Sequence, residues 1–296
     1  MNSRRNNGNR SNDSNKKTFK GKKGAPGKPV GDNKVRARDK RRYIDYKDKL
    51  KKGDPLPSFN DDEVRLNKYL SNAGVCSRRE ADVLIKTGVV TVNGNIVTEM
   101  GFKVKPEDIV KYDGESINAE KKRYVLLNKP KGFITTMDDP MGRRTVMTLV
   151  KKACRERVYP VGRLDKETTG LLLFTNDGDL AKKLTHPKHK ASKMYHVELN
   201  KKVMPGDLLK LVSGVDMEDG TSRFDKAEFA SVDDPKQIGV ELHSGKNRIV
   251  RRTFEALGYK VVKLDRVMFA GLTKKDLPRG TYRHLGEKEI AFLRMK

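Results

Sequence analysis

The chain has 296 residues, with 65 Lys/Arg against 39 Asp/Glu and a net charge of +26. That balance calls for a polyanionic partner, nucleic acid ahead of an anionic membrane surface. No run approaches the roughly 18 consecutive apolar residues of a membrane helix, and the N-terminus has no apolar core of a secretory signal. The two cysteines, Cys76 and Cys154, provide no disulfide framework, which fits a reducing cytoplasm.

Residues 1–62 are rich in Lys, Arg, Asn, Gly and Ser and poor in apolar residues. Such a segment cannot bury enough surface to offset its ordering entropy, so a disordered basic tail is expected, with at most a helical turn near Lys40–Lys51. A first domain is expected over 63–114. Leu66, Tyr69, Leu70 and Ala73 share one helical face, and Gly74 is placed to end that helix. Ser77 and Glu80 have capping-box spacing, opening a second helix through Lys86 that Gly88 ends. Two strands then flank Asn93-Gly94, a favoured hairpin turn, and Asp108–Tyr112 alternates like a further strand. This pattern resembles the S4 RNA-binding domain. The resemblance implies phosphate contacts from Arg65, Lys68, Ser77, Arg78, Arg79 and Lys86, helped by backbone donors at the start of the second helix.

Residues 115–123 have the composition of a linker, and a larger domain is expected over 124–290. It opens with a strand, Tyr124–Leu127, followed by the turn Asn128-Lys129-Pro130-Lys131-Gly132. A polar loop, Asp138–Arg144, leaves Arg143 and Arg144 free for RNA, and a short helix is expected from Thr145. The stretch YPVGRLDKETTGLLLFTNDG, Tyr159–Gly178, is the most informative. Its apolar run Leu171–Thr175 reads as a buried strand closed by an Asn-Asp-Gly turn, which puts Asp165 on a loop between two core strands. Further on come a helix over Asp179–Leu184, an alternating strand over Lys193–Leu199, and a helix over Asp207–Ser213. Strands over Arg223–Val232 and Ile238–Leu242 follow, then a helix over Asn247–Leu257 carrying Arg248, Arg251 and Arg252, a strand over Val261–Leu264, and a closing turn and strand over Leu277–Leu285.

Two other chemistries are weighed and set aside. His186, His189 and His196 lack an accompanying carboxylate or thiolate set, so no metal is expected. Ser244-Gly245-Lys246 is too short for a phosphate-binding P-loop. A phosphoryl-transfer reading of Asp165 would need a carboxylate cluster, and only Asp177 and Asp179 are near in sequence.

The string GRLDxxTxGLLLxTNDG resembles the signature of the RNA pseudouridine synthases, specifically the RsuA/RluB/RluE/RluF branch, and LNKPKG resembles another of its turns. The resemblance implies an α+β fold: a small S4 domain joined to a catalytic domain with a mixed, mainly antiparallel sheet. It makes Asp165 the catalytic carboxylate, Tyr195 the base-stacking aromatic and Arg251 the cation paired with Asp165. RNA contacts follow for Arg163, Asn247, Arg248 and Arg252. The family pattern has Gln after Asn-Arg and this chain has Ile249, so no polar contact is expected there. The implied substrate is ribosomal RNA, 23S first and 16S second, free or within pre-ribosomal particles, acted on by a monomer without metal or cofactor. A non-catalytic RNA-binding protein of the same fold is the rival, and it would have lost Asp, Tyr or Arg.

Overall fold

The first domain forms because two short amphipathic helices cover one face of a small sheet. The computed structural model describes residues 63–295, so the expected tail and its helical turn lie outside the described residues. Strand β1 (Val64–Arg65) leads into α1 (Leu66–Asn72) and α2 (Arg78–Lys86), followed by β2 (Val90–Val92), β3 (Asn95–Ile96), β4 (Lys103–Val104), β5 (Val110–Tyr112) and β6 (Glu115–Ser116). Leu66 and Leu70 of α1 meet Ala81 and Ile85 of α2 above Val90, Val92, Val104 and Val110. The capping box at Ser77 and Glu80 is present on both sides. Asn93 and Gly94 both have positive φ, 51° and 85°, as the two-residue hairpin turn requires.

The expected linker is partly structured. Glu115–Ser116 pairs with β5 around a second turn at Asp113-Gly114, and Ile117 packs against this domain's core. The pairing of β1 with β4 was not foreseen, because two-residue strands carry no periodicity.

The larger domain comprises β7 (Tyr124–Lys129), α3 (Met147–Val150), β8 (Tyr159–Pro160), β9 (Thr169–Thr175), α4 (Gly178–Thr185), β10 (Lys193–Leu199) and α5 (Pro205–Ser213). It continues with β11 (Lys226–Phe229), β12 (Gln237–Leu242), α6 (Ile249–Ala256), β13 (Val261–Phe269), β14 (Leu272–Thr273), β15 (Tyr282–His284) and α7 (Glu287–Met295). The sheet runs β11-β12-β10-β13-β9-β7-β15, with β8 added to β9 and β14 to β13. Every pairing in it is antiparallel except β13 with β9. Strands β7 and β9 read as continuous apolar runs because both faces are covered. Leu126, Leu171 and Leu173 enter one cluster, and Val125, Leu127, Leu172 and Phe174 enter the other. Helices α5 and α6 close the far half over Val197, Leu199, Ile238, Val240 and Leu264.

The domain does not end near residue 290. Helix α7 runs on through Met295, fully burying Leu293, and Arg294 donates to the Tyr124 hydroxyl at 2.8 Å. Among the described residues, no helix is long and apolar enough to cross a membrane.

The parallel contact joins the two halves of the sheet through just two register pairs, Asp265 with Thr169 and Arg266 with Gly170. Gly170 is obligatory there: its φ is 106°, and a Cβ would stand 2.3 Å from the Arg266 carbonyl oxygen. Asp265 staples the seam. Thr169 donates to it at 2.9 Å, Arg279 clamps it with both Nη atoms at 2.9 and 3.0 Å, and Lys274 pairs with it. Burial alone would raise the pKa of this carboxyl, but the bonds from Arg279, Lys274 and Thr169 outweigh it and hold the value at about 2. Because the folded value lies below that of the unfolded chain, the stabilisation is complete above about pH 4 and is lost as pH falls towards 2. The shift corresponds to about 2 kcal/mol. Urea unfolding of wild type and Asp265→Asn between pH 2 and 6 should show the variant less stable by about that amount at pH 6 and equal near pH 2.

Candidate active site

The loop carrying Asp165 is held largely through its backbone, with the Leu164 side chain packed into the core. Lys129, at the end of buried β7, is itself fully buried, and its Nζ donates to the carbonyls of Thr168 (2.8 Å), Asp165 (3.1 Å), Pro130 (3.1 Å) and Lys166 (3.3 Å). Three N–H groups thus serve a ring of four acceptors, which a single amide or hydroxyl could not do. Burial pulls the Lys129 pKa down to about 8, while Asp165 and Glu167 act the other way, so the ammonium form still predominates at neutral pH. From the opposite side, Thr135 accepts from the Leu164 N–H at 3.2 Å and donates to its carbonyl at 2.8 Å. Gly132 N–H binds the Lys166 carbonyl, and Thr168 N–H closes a turn on the Asp165 carbonyl. The Asp165 side chain is left to face a cleft of about 500 Å³.

That cleft is lined by Arg163, Asp165, Lys166, Lys193, Tyr195, Lys246, Asn247, Arg248 and Arg266 over an apolar floor that includes Val161, Leu264 and Phe269. Of the residues expected from sequence, Asp165, Tyr195, Arg163, Asn247 and Arg248 therefore meet in one place. The expected ion pair differs. Arg248 approaches Asp165, Nη1 to Oδ2 3.7 Å, whereas Arg251 is buried behind the cleft wall and donates through Nη1 to the Val261 carbonyl at 3.0 Å. The reason lies in the turn before α6. Arg248 occupies the N-cap with φ 48°, so its side chain leaves the chain before helical geometry begins, while Arg251 falls on the helix face directed at the sheet. The Arg251 Nε has no hydrogen-bond partner among the described residues; burial, and then the charge of Arg248, lower its pKa, and Asp165 opposes them through space.

Several expected RNA contacts are otherwise engaged. Lys68 pairs with Asp179 at 2.8 Å, Arg143 with Asp139, and Arg252 with Asp219 through both Nη atoms at 2.7 and 3.0 Å. At the start of α2, Ser77 accepts from Glu80 N–H and the Glu80 carboxylate accepts from Ser77 N–H, so the donors expected to meet a phosphate are partly occupied by a carboxylate. Arg65, Arg78, Arg79 and Lys86 are exposed, and Ile249 is a core residue of the α6 cluster. Among the described residues, no group of three or more His, Cys, Asp or Glu is arranged to hold a metal.

Sequence reasoning gave no role to Lys129, Lys193 or Arg266. For Lys129 a signal existed: a lysine ending an otherwise apolar strand needs acceptors if that strand is buried. Lys193 donates to the carbonyls of His243 (2.8 Å), Ala191 (3.0 Å) and Ser244 (3.5 Å), tying β10 to the turn that carries Arg248. Burial, and then the charge of Arg266, bring its pKa down to about 8.

Comparison with known proteins accounts for this arrangement. The RNA pseudouridylate synthase family matches residues 123–256, and the S4 domain family matches residues 64–110. The ribosomal large subunit pseudouridine synthase B of Bacillus subtilis is 44% identical over 78% of this chain and 95% of its own length. The chain belongs to the RNA pseudouridine synthase family. An RNA pseudouridine synthase of Aquifex aeolicus is 41% identical over 78% of this chain and 94% of its own length. A ribosomal large subunit pseudouridine synthase B of Vibrio vulnificus is 37% identical over 78% of this chain and 74% of its own. A crystal structure of a pseudouridylate synthase, 30% identical, superposes with a TM-score of 0.57 over 78% of this chain and 99% of its own. Pseudouridine synthases isomerise uridine in RNA, so RNA is the partner that the basic composition called for.

The Lys129 ring makes a prediction for this synthase. Lys129→Met removes the donor while keeping the shape, taking the ammonium from the Thr168 and Pro130 carbonyls and one of two donors from those of Asp165 and Lys166. It should cost about 3 kcal/mol in urea unfolding. It should also slow single-turnover pseudouridine formation by about 10²-fold with RNA affinity within twofold, because Asp165 loses its position rather than its charge.

Proposed function

We propose that this chain modifies a specific uridine of 23S ribosomal RNA with Asp165 as the catalytic carboxylate. The observation that carries the reading is the juxtaposition, in one cleft, of a backbone-locked Asp165, an Arg248 at 3.7 Å and Tyr195 on β10. The choice of RNA is supported by the relatives in Bacillus subtilis and Vibrio vulnificus, whose names place their action on the large ribosomal subunit.

The reaction breaks the bond between uracil N1 and ribose C1′, turns the base and rejoins it through C5. The target nucleotide has to leave its stack to reach Asp165. Tyr195 offers the flipped uracil an aromatic face. Arg248 directs the Asp165 carboxylate at the sugar, and Arg251 adds positive potential from behind the wall. Arg163, Lys166 and Asn247 stand at the mouth, where the phosphates flanking the target would pass. The protein would act as a monomer in the cytoplasm, on free or pre-ribosomal RNA. Residues 63–114 serve as the S4 domain and 124–295 as the catalytic domain.

The test is carbodiimide mapping of pseudouridine in ribosomal RNA from cells lacking the gene, complemented with wild type or Asp165→Asn. One 23S signal should vanish and return only with wild type. Loss of a 16S signal instead would move the substrate to the small subunit. Full rescue by Asp165→Asn would remove Asp165 from the chemistry.

A further inference from the structure

The back of the cleft holds a charge that the reading above does not use. Arg266, on β13 directly opposite Tyr195 in the β10–β13 register, is 3% exposed yet lines the cleft. Its Nε donates to the Leu171 carbonyl at 2.8 Å and its guanidinium lies 4.6 Å from the centre of the Phe269 ring, which fixes its plane. Its Nη2 is buried with no hydrogen-bond partner among the described residues. Lys193 stands beside it with its donors on backbone carbonyls, so neither cation has an ion-pair partner there. Buried arginine donors are ordinarily satisfied, and leaving one open adjacent to a reaction cleft requires a reason.

We propose that Arg266 is a catalytic residue that donates to a carbonyl oxygen of the flipped uracil and stabilises the base as it departs. The chemistry supplies the matching charge. When the C1′–N1 bond breaks, its electron pair leaves with the base, giving a uracil monoanion whose charge is shared among N1, O2 and O4. C5 then returns an electron pair to C1′, the C5 proton passes to solvent and N1 takes one up, so the sum is an isomerisation. A fixed cation beside the stacking face of Tyr195 opposes charge that exists only after bond breaking, which accelerates cleavage rather than merely tightening binding. The proposal rests on the cleft being the reaction site, and the Asp165→Asn control tests that separately.

Fluorine at C5 stabilises the uracil anion and so lessens the need for Arg266. Single-turnover rates would be measured at saturating transcript with uridine or 5-fluorouridine at the mapped position. Arg266→Gln should slow cleavage of uridine by about 10²–10³-fold, and that of 5-fluorouridine by a clearly smaller factor. Arg266→Lys, which keeps a charge, should fall between, and serves if Arg266→Gln does not fold in a thermal melt. Asp165→Asn should abolish reaction with both substrates. Equal losses on the two substrates would mark Arg266 as structural and overturn the proposal. An unchanged saturating rate with weakened RNA binding and a reduced salt slope would mean a phosphate contact and would also overturn it. A check needing no variant uses the free bases: the full-length wild type should bind 5-fluorouracil more tightly than uracil, and equal binding would count against the proposal.

Discussion

One buried ammonium underlies the geometry of the candidate active site. The loop after Gly162 must turn sharply to present a carboxylate, and a sharp turn gathers carbonyl oxygens on its inner side, where water does not reach them. Lys129 answers three of them at once, together with the Pro130 carbonyl. Its charge costs something to bury, as its lowered pKa records, but the alternative is a set of under-satisfied acceptors beneath Asp165. Since the loop is held largely through its main chain, with Leu164 packed into the core, the Asp165 side chain is left to face the cleft.

The cleft lies over the narrowest connection along the main path of the sheet. Strands β13 and β9 meet through two register pairs, and around them gather Gly170, the Asp265 cluster and Arg266. Neighbouring side chains diverge there: Asp265 turns to Thr169, Lys274 and Arg279, while Arg266 binds the Leu171 carbonyl and lines the cleft. A parallel pair this short has few backbone bonds, so a carboxylate with several donors supplements it. Asp165 comes from one half of the sheet, and Tyr195 and Arg248 from the other. Their distances thus depend on the integrity of that seam.

Much of this was legible in the sequence, for identifiable reasons. The capping box at Ser77, the Asn93-Gly94 turn and the apolar run Leu171–Phe174 are local signals, and each formed the expected element. The string around Asp165 gave the family, because many positions match in register. Three things escaped. Strands β1, β4 and β6 are two residues long, too short for any periodicity. Helix α7 continues past the end of the family resemblance and is tied down by long-range contacts of Leu293 and Arg294. The resemblance assigned Arg251 as the partner of Asp165, whereas a left-handed N-cap at Arg248, invisible in the sequence, turns that arginine to the cleft instead.

The pairing of surface charges bears on how RNA meets this protein. Asp179, Asp139, Asp219 and Glu167 each sit against a lysine or arginine, and so act as counterions built into the fold. A phosphate approaching those cations must displace a carboxylate that cannot diffuse away, and it liberates fewer salt ions in doing so. Arg163 and Lys166, which form no ion pair among the described residues, stand instead at the cleft. The field felt by an incoming strand is therefore uneven, because some basic side chains are neutralised within the fold and others are not. The acidic residues give the basic surface its direction.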